Sequence, residues 1–83
     1  MVEQTIRVPT TDDWYPNYPG DTVELSLLNL LDGEFRVCVW GADDFGLEKD
    51  FKNPKEALRT YRAVKNSCVV TKASLYDMGF ETA

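Results

Sequence analysis

The chain of 83 residues contains no histidine. Histidine is the side chain whose unperturbed pKa lies nearest neutral pH, and it dominates general acid–base catalysis and metal ligation. Its absence excludes Ser-His-Asp and Cys-His catalytic systems, as well as mixed Cys/His zinc sites. We therefore expect a binding protein rather than an enzyme, with no catalytic residues, no cofactor and no bound metal.

Cysteine is scarce, with Cys38 and Cys68 far apart in the sequence. They form no CxxC pair, and two thiols cannot complete a four-ligand zinc site. Each lies in an apolar run, where a cysteine usually behaves as a small buried hydrophobe. Two free thiols in a reducing, cytoplasmic setting are the favoured interpretation, and a disulfide between them is the alternative.

Long apolar segments are also lacking. No run approaches the roughly 20 residues that cross a bilayer, and residues 1–4 lack the basic start and apolar stretch of a secretory signal. Hydrophobic residues make up 43% of the chain, which is enough for a folded core. At this length there is room for one core, so we expect a single domain over residues 1–83 that does not contact a membrane.

An Asp-Gly pair within residues 23–40 predicts a β-hairpin. Asp32 and Gly33 lie between two apolar, β-prone segments, and a type I′ turn needs positive φ at both central positions. A two-residue turn pairs Leu30 with Phe35, and this register leaves both hairpin faces partly apolar. One face can pack on a helix, and the other needs a second cover. The second face would carry Leu25, Leu27 and Trp40.

The sequence from Asn53 to Glu56 predicts the start of a helix. Asn53 suits the N-cap, Pro54 suits the first helical position, and Glu56 lies three residues after the cap, as in a capping box. We expect a helix over residues 54–65. Its buried face would carry Ala57, Leu58, Tyr61 and Val64.

Other segments predict further strands. Residues 2–8 alternate loosely and stop at Pro9, which is typical of an edge strand, and residues 47–51 predict a third short strand. The expected fold class is α+β: an antiparallel β-meander of three to four strands packed on one amphipathic helix.

The last segment has two interpretations. Residues 68–71 are β-prone, and residues 71–80 could extend that strand or form a helical turn that ends at Gly79. In the second case Gly79 takes a left-handed conformation and Phe80 packs on Leu75, as in a Schellman motif. We favour a short strand followed by the helical turn.

Residues 10–21 form the first candidate binding segment. They show no regular period, and their prolines disfavour helix, so the sequence predicts a long loop. Tryptophan and tyrosine are enriched at interface hot spots. The candidate partner-binding residues here are Asp12, Asp13, Trp14, Tyr15, Tyr18 and Asp21. The alternative is that the rings cover the open face of the sheet as a lid.

Charge is polarised along the chain, whose formal net charge is −5. Six carboxylates and no basic residue lie between Val8 and Phe35, and Asp43 and Asp44 form a second acidic turn. Such a surface would attract a basic partner and raise its association rate; plain solubility is the alternative. For the adjacent carboxylate pairs, turn formation is favoured over Mg²⁺ or Ca²⁺ binding.

The predicted helix carries a narrow basic stripe of Lys55, Arg59 and Arg62. A helix that contacts phosphates has this pattern, and so does an ordinary solvated helix. The net negative charge and the lack of glycine-rich loops or stacked aromatics beside the stripe make nucleic-acid binding the weaker hypothesis.

In its length, acidic balance, strand–strand–helix body and DDWYPNYPGD segment, the chain resembles the small accessory proteins that bacteriophages encode early. These include host-takeover proteins and inhibitors of restriction or CRISPR systems. The resemblance implies a stoichiometric inhibitor or adaptor in the host cytoplasm, a monomer or homodimer, that binds and blocks a host protein complex with a basic surface. The alternatives are a nucleic-acid-binding module that uses the basic stripe, and a homo-oligomeric structural protein assembled through the second hairpin face.

Overall fold

The computed structural model describes residues 4–11, 22–41 and 45–83. They form an α+β fold in which an antiparallel meander, in the strand order β1-β2-β3-β4-β5, carries two helices. The elements are β1 (Gln4–Pro9), β2 (Thr22–Asn29), β3 (Phe35–Trp40), β4 (Gly46–Phe51), α1 (Pro54–Lys65), α2 (Lys72–Asp77) and β5 (Glu81–Thr82). The predicted fold class is confirmed, although the described strands number five rather than three to four.

The β2–β3 hairpin has the predicted turn conformation but a different register. Asp32 and Gly33 have φ values of 63° and 75°, as a type I′ turn requires. The Leu30 amide donates to the Glu34 carbonyl at 2.7 Å, and the Glu34 amide donates to the Leu31 carbonyl at 3.4 Å. Leu30 and Leu31, which follow β2, thus both oppose Glu34, which precedes β3. Such an extra residue on one side of a strand pair is a β-bulge. The extra residue moves the register by one place.

This shift separates the apolar from the polar side chains of the hairpin. Leu25 pairs with Val39 and Leu27 pairs with Val37, so four apolar side chains share one face. The predicted second apolar face does not exist, because Leu25 and Leu27 are fully buried whereas Trp40 lies on the opposite face. Leu25, Leu27 and Trp40 therefore do not form the shared surface that was expected for a homo-oligomer.

The helices cover the apolar face of the sheet. The buried sheet residues are Val8, Val23, Leu25, Leu27, Phe35, Val37, Val39, Leu47 and Phe51. The covering layer buries Ala57, Tyr61, Val64, Val70, Leu75 and Phe80. Burying one such aliphatic side chain contributes about 1.5–3 kcal/mol. We call this the core face and the other side of the sheet the outer face.

Helix α1 has the predicted bounds and the predicted buried face. The Asn53 side chain accepts a hydrogen bond from the Lys55 amide at 2.8 Å, which caps the first turn. Ala57, Tyr61 and Val64 are buried, and Leu58 is half-buried against the core.

The final segment contains a helix and no strand over residues 68–71, so that part of the expectation is wrong. Val70 alone in this stretch is buried, and its amide donates to the Pro9 carbonyl at 2.9 Å. The helical turn and its Schellman ending are confirmed. Gly79 has φ 92°, and the Phe80 amide donates to the Leu75 carbonyl at 3.0 Å.

Candidate binding surfaces

All eight predicted partner-binding residues lie outside the described residues. They are Asp12, Asp13, Trp14, Tyr15, Tyr18, Asp21, Asp43 and Asp44. Their role in binding a partner stays a prediction.

The described residues that flank these two acidic segments lie at one end of the sheet. Pro9, near the end of β1, pairs with Thr22 at the start of β2. Trp40, at the end of β3, pairs with Gly46 at the start of β4. Glu24 of β2 pairs with Trp40, which joins the two strand pairs side by side at this end. The two acidic segments are distant in sequence, but the residues on either side of each lie at this same end of the sheet.

The basic stripe predicted on α1 is present on its solvent side. Lys55, Arg59 and Arg62 are exposed, and no carboxylate in the described ranges makes an ion pair with any of the three. Together with Leu58 they line a shallow groove of about 310 Å³. We call this the α1 groove.

The outer face carries a cluster of charges that the sequence analysis missed. Arg36 donates to both carboxylate oxygens of Asp50, at 2.6 and 3.0 Å, and its Nε lies 2.8 Å from a Glu48 oxygen. The hydrogen bond from Arg36 lowers the pKa of Asp50. Cross-strand register alone brings these residues together, so no sequence motif signals the cluster.

Cys38 lies on the outer face beside this cluster and is 2% exposed. Burial raises the pKa of its thiol to about 11. Cys68 is exposed, contrary to its apolar sequence context, and both cysteines are free. A neutral, inaccessible thiol such as that of Cys38 is a packing residue rather than a nucleophile.

A second groove, of about 480 Å³, runs along the edge where β5 leaves the last part of β4 uncovered. It is lined by Glu48, Lys49, Asp50, Gly79, Glu81, Thr82 and Ala83. The Lys49 ammonium lies on the core side and donates to the Met78 carbonyl at 2.8 Å, at the C-terminal end of α2. Lys49 thus interacts favourably with the C-terminal end of α2, so its charge has a structural role.

The turn between β2 and β3 presents an apolar side chain to solvent. Leu31 is 87% exposed, the highest exposure among the large hydrophobic residues described. Asp32 beside it is exposed, and Glu34 is half-buried. We call residues 31–34 the Leu31 turn.

Within the described ranges, no group of three or more His, Cys, Asp or Glu side chains is arranged to hold a metal ion. Every buried side-chain nitrogen or oxygen there has a hydrogen-bond partner. No described helix is both long and apolar enough to span a membrane.

No protein-family model matches the chain, and no curated protein sequence and no solved structure matches it significantly.

Proposed function

We propose that the chain is a non-enzymatic inhibitor or adaptor of the type that bacteriophages encode, which binds a basic surface of a host protein complex and blocks it. The supporting observation is the arrangement of strand ends: the described residues flanking both acidic segments lie at one end of the sheet. We call that end, with its two connecting segments, the acidic end.

The acidic end has the charge that such a partner needs. Five aspartates belong to its connecting segments: Asp12, Asp13, Asp21, Asp43 and Asp44. Like charges connected to adjacent strands add their fields, and such a field steers a basic partner and raises its association rate. Trp14, Tyr15 and Tyr18 supply large, rigid apolar area for the centre of an interface.

The test is affinity capture from bacterial lysate with identification of the partner, using the full chain and two charge variants. Replacing Asp12 and Asp13 by asparagine and Trp14 by alanine should weaken capture at least about tenfold, which corresponds to about 1.4 kcal/mol. A control variant with Lys55, Arg59 and Arg62 replaced by glutamine should keep the partner. Capture that is unchanged in the acidic variant, with circular dichroism showing an intact fold, contradicts the proposal.

Nucleic-acid binding is the second candidate, supported by the basic stripe of Lys55, Arg59 and Arg62, none of which makes an ion pair with a described carboxylate. It predicts salt-dependent binding of DNA or RNA that weakens when Arg59 and Arg62 are neutralised. The chain's net charge of −5 opposes association with a polyanion, which ranks this candidate below the first.

A further inference from the structure

The Leu31 turn is a preformed projection. Two hydrogen bonds close it, from the Leu30 amide to the Glu34 carbonyl and from the Glu34 amide to the Leu31 carbonyl. Asp32 and Gly33 fix its backbone in the left-handed region. A leucine that is 87% exposed on such a turn can be buried by a partner with little loss of backbone entropy.

The α1 groove has the complementary properties. It is lined by one apolar residue, Leu58, and by three basic residues, Lys55, Arg59 and Arg62. Lysine and arginine cover apolar surface with their methylene stems and keep their charges at the edge. The groove therefore suits an apolar side chain close to carboxylates, and Leu31 is followed by Asp32 and Glu34.

The Leu31 turn lies at the end of the sheet from which α1 starts, and the α1 groove runs from Lys55 in the first turn of the helix to Arg62 in the last. The Leu31 turn leads into β3 at Phe35, and Phe35 pairs with Phe51 at the end of β4. Helix α1 begins three residues later at Pro54. The exposure of Leu31 shows that the turn does not occupy the groove of its own chain. Each copy therefore carries both a projection and a complement to it, and a two-fold interface uses each of them once.

We propose that the chain forms a two-fold homodimer in which the Leu31 turn of each copy inserts into the α1 groove of the other. Each half of the interface places Asp32 and Glu34 next to the cations of the facing groove. The proposed dimer uses none of the residues of the acidic end, so failure of the dimer would not contradict the proposed function, and the reverse also holds. An occupant with an apolar tip and nearby carboxylates matches both the methylene stems and the charges of this lining.

Sedimentation equilibrium of the full chain, from about 10 µM to about 1 mM, tests the dimer. We expect a concentration-dependent monomer–dimer equilibrium that Leu31→Ser weakens at least about tenfold. Val69→Ser, at a hydrophobic residue 39% exposed elsewhere, is the matched control and should leave dimerisation unchanged. Thermal unfolding at low concentration checks that both variants keep the fold.

Charge reversal tests the pairing directly. Variant one carries Asp32→Lys with Glu34→Lys, and variant two carries Arg59→Glu with Arg62→Glu. Each alone places like charges face to face and should be monomeric. Mixed in equal amounts they should form a heterodimer, because opposite charges meet in both halves of the interface.

Three results would overturn the dimer. One is a wild-type chain that stays monomeric at the highest concentration. The second is a dimer that persists unchanged in Leu31→Ser and in the charge variants. The third is a monomer that binds a short DNA or RNA duplex through Arg59 and Arg62 with the same affinity after Leu31→Ser, which assigns the groove to nucleic acid.

Discussion

The indole ring of Trp40 lies directly over Gly46, its partner across the β3–β4 pair, and occupies the space that a side chain at position 46 would need. Gly46 is buried, and Trp40 is half-buried on the outer face. Glycine is required here because the aromatic ring packs directly against the backbone, at strand ends that belong to the acidic end.

Gly46→Ala should destabilise the fold by about 1–3 kcal/mol, because the new methyl group displaces the indole ring. Urea unfolding followed by circular dichroism measures the change. The cost should fall by about 1 kcal/mol or more in a Trp40→Ala background, where the space is already open. Equal costs in both backgrounds would show that the ring does not set the requirement for glycine.

Gly79→Ala should destabilise the protein more than Gly33→Ala. Both glycines have positive φ, so each substitution carries a backbone cost of about 1–2 kcal/mol. At Gly33 a new Cβ meets nothing within 4 Å, whereas at Gly79 it lies 3.0 Å from the Lys49 ammonium nitrogen. Displacing that ammonium weakens its bond to the Met78 carbonyl.

We expect Gly79→Ala to lower the free energy of unfolding by about 0.5–1 kcal/mol more than Gly33→Ala, as measured by urea unfolding at neutral pH. In a Lys49→Ala background the difference should vanish. A difference that survives this background would point to a backbone cause instead.

The Arg36–Asp50 pair should make stability fall in acid. The pKa of Asp50 is lowered in the folded state, chiefly by the hydrogen bond from Arg36. Its contribution is therefore complete above the unfolded pKa, whose usual value is 3.8, and is lost as the pH falls through the lower folded value. Because the Asp50 side chain is 43% exposed, the contribution is below about 1 kcal/mol.

Urea unfolding at about pH 7 and about pH 3 measures this loss. Asp50→Asn should lower stability at the higher pH and lose less on acidification than the wild type. Asp77→Asn, at an exposed residue outside the cluster, should behave like the wild type. An Asp50→Asn variant with an unchanged pH profile would show that the pair contributes nothing.

The two cysteines should differ in reactivity. In the native chain, a thiol-specific reagent at about pH 8 should modify Cys68 quickly and leave Cys38 unmodified, because Cys38 is buried and its pKa is raised to about 11. Mass spectrometry should count one label per folded chain and two after denaturation. Cys68→Ser should remove the fast reaction, and rapid labelling of Cys38 in that variant would contradict the packing described.

Local sequence signals were sufficient to predict α1 and the end of α2. The N-cap at Asn53, the proline after it and the period of the apolar residues all lie within the helix itself, so its bounds could be predicted. The Schellman ending depends on Gly79 and on two apolar residues close to it in sequence. Such features need no knowledge of the rest of the fold.

Features that depend on pairing could not be predicted. Strand β5 has two residues, and its pairing with Leu47 and Glu48 gives no pattern in the sequence. The β-prone stretch at residues 68–71 connects two helices and buries Val70 alone, so tertiary context overrides its propensity. The Arg36 cluster and the α1 groove likewise emerge only from register and packing, and the acidic end is inferred from strand order.

The bulge at the Leu31 turn holds one residue that the pairing of β2 with β3 does not require. Substituting Leu31 removes an exposed side chain and leaves the backbone hydrogen bonds in place. Deleting it leaves a two-residue turn at Asp32 and Gly33, in which Leu30 opposes Glu34 and Asn29 still opposes Phe35. The core-face residues of β2 therefore keep their partners on β3. A slide of one place would follow only if the bulge were lost while Leu31 was kept, because a two-residue turn would then pair Leu30 with Phe35. The extra residue thus adds an exposed side chain at the tip without deciding which residues the sheet buries.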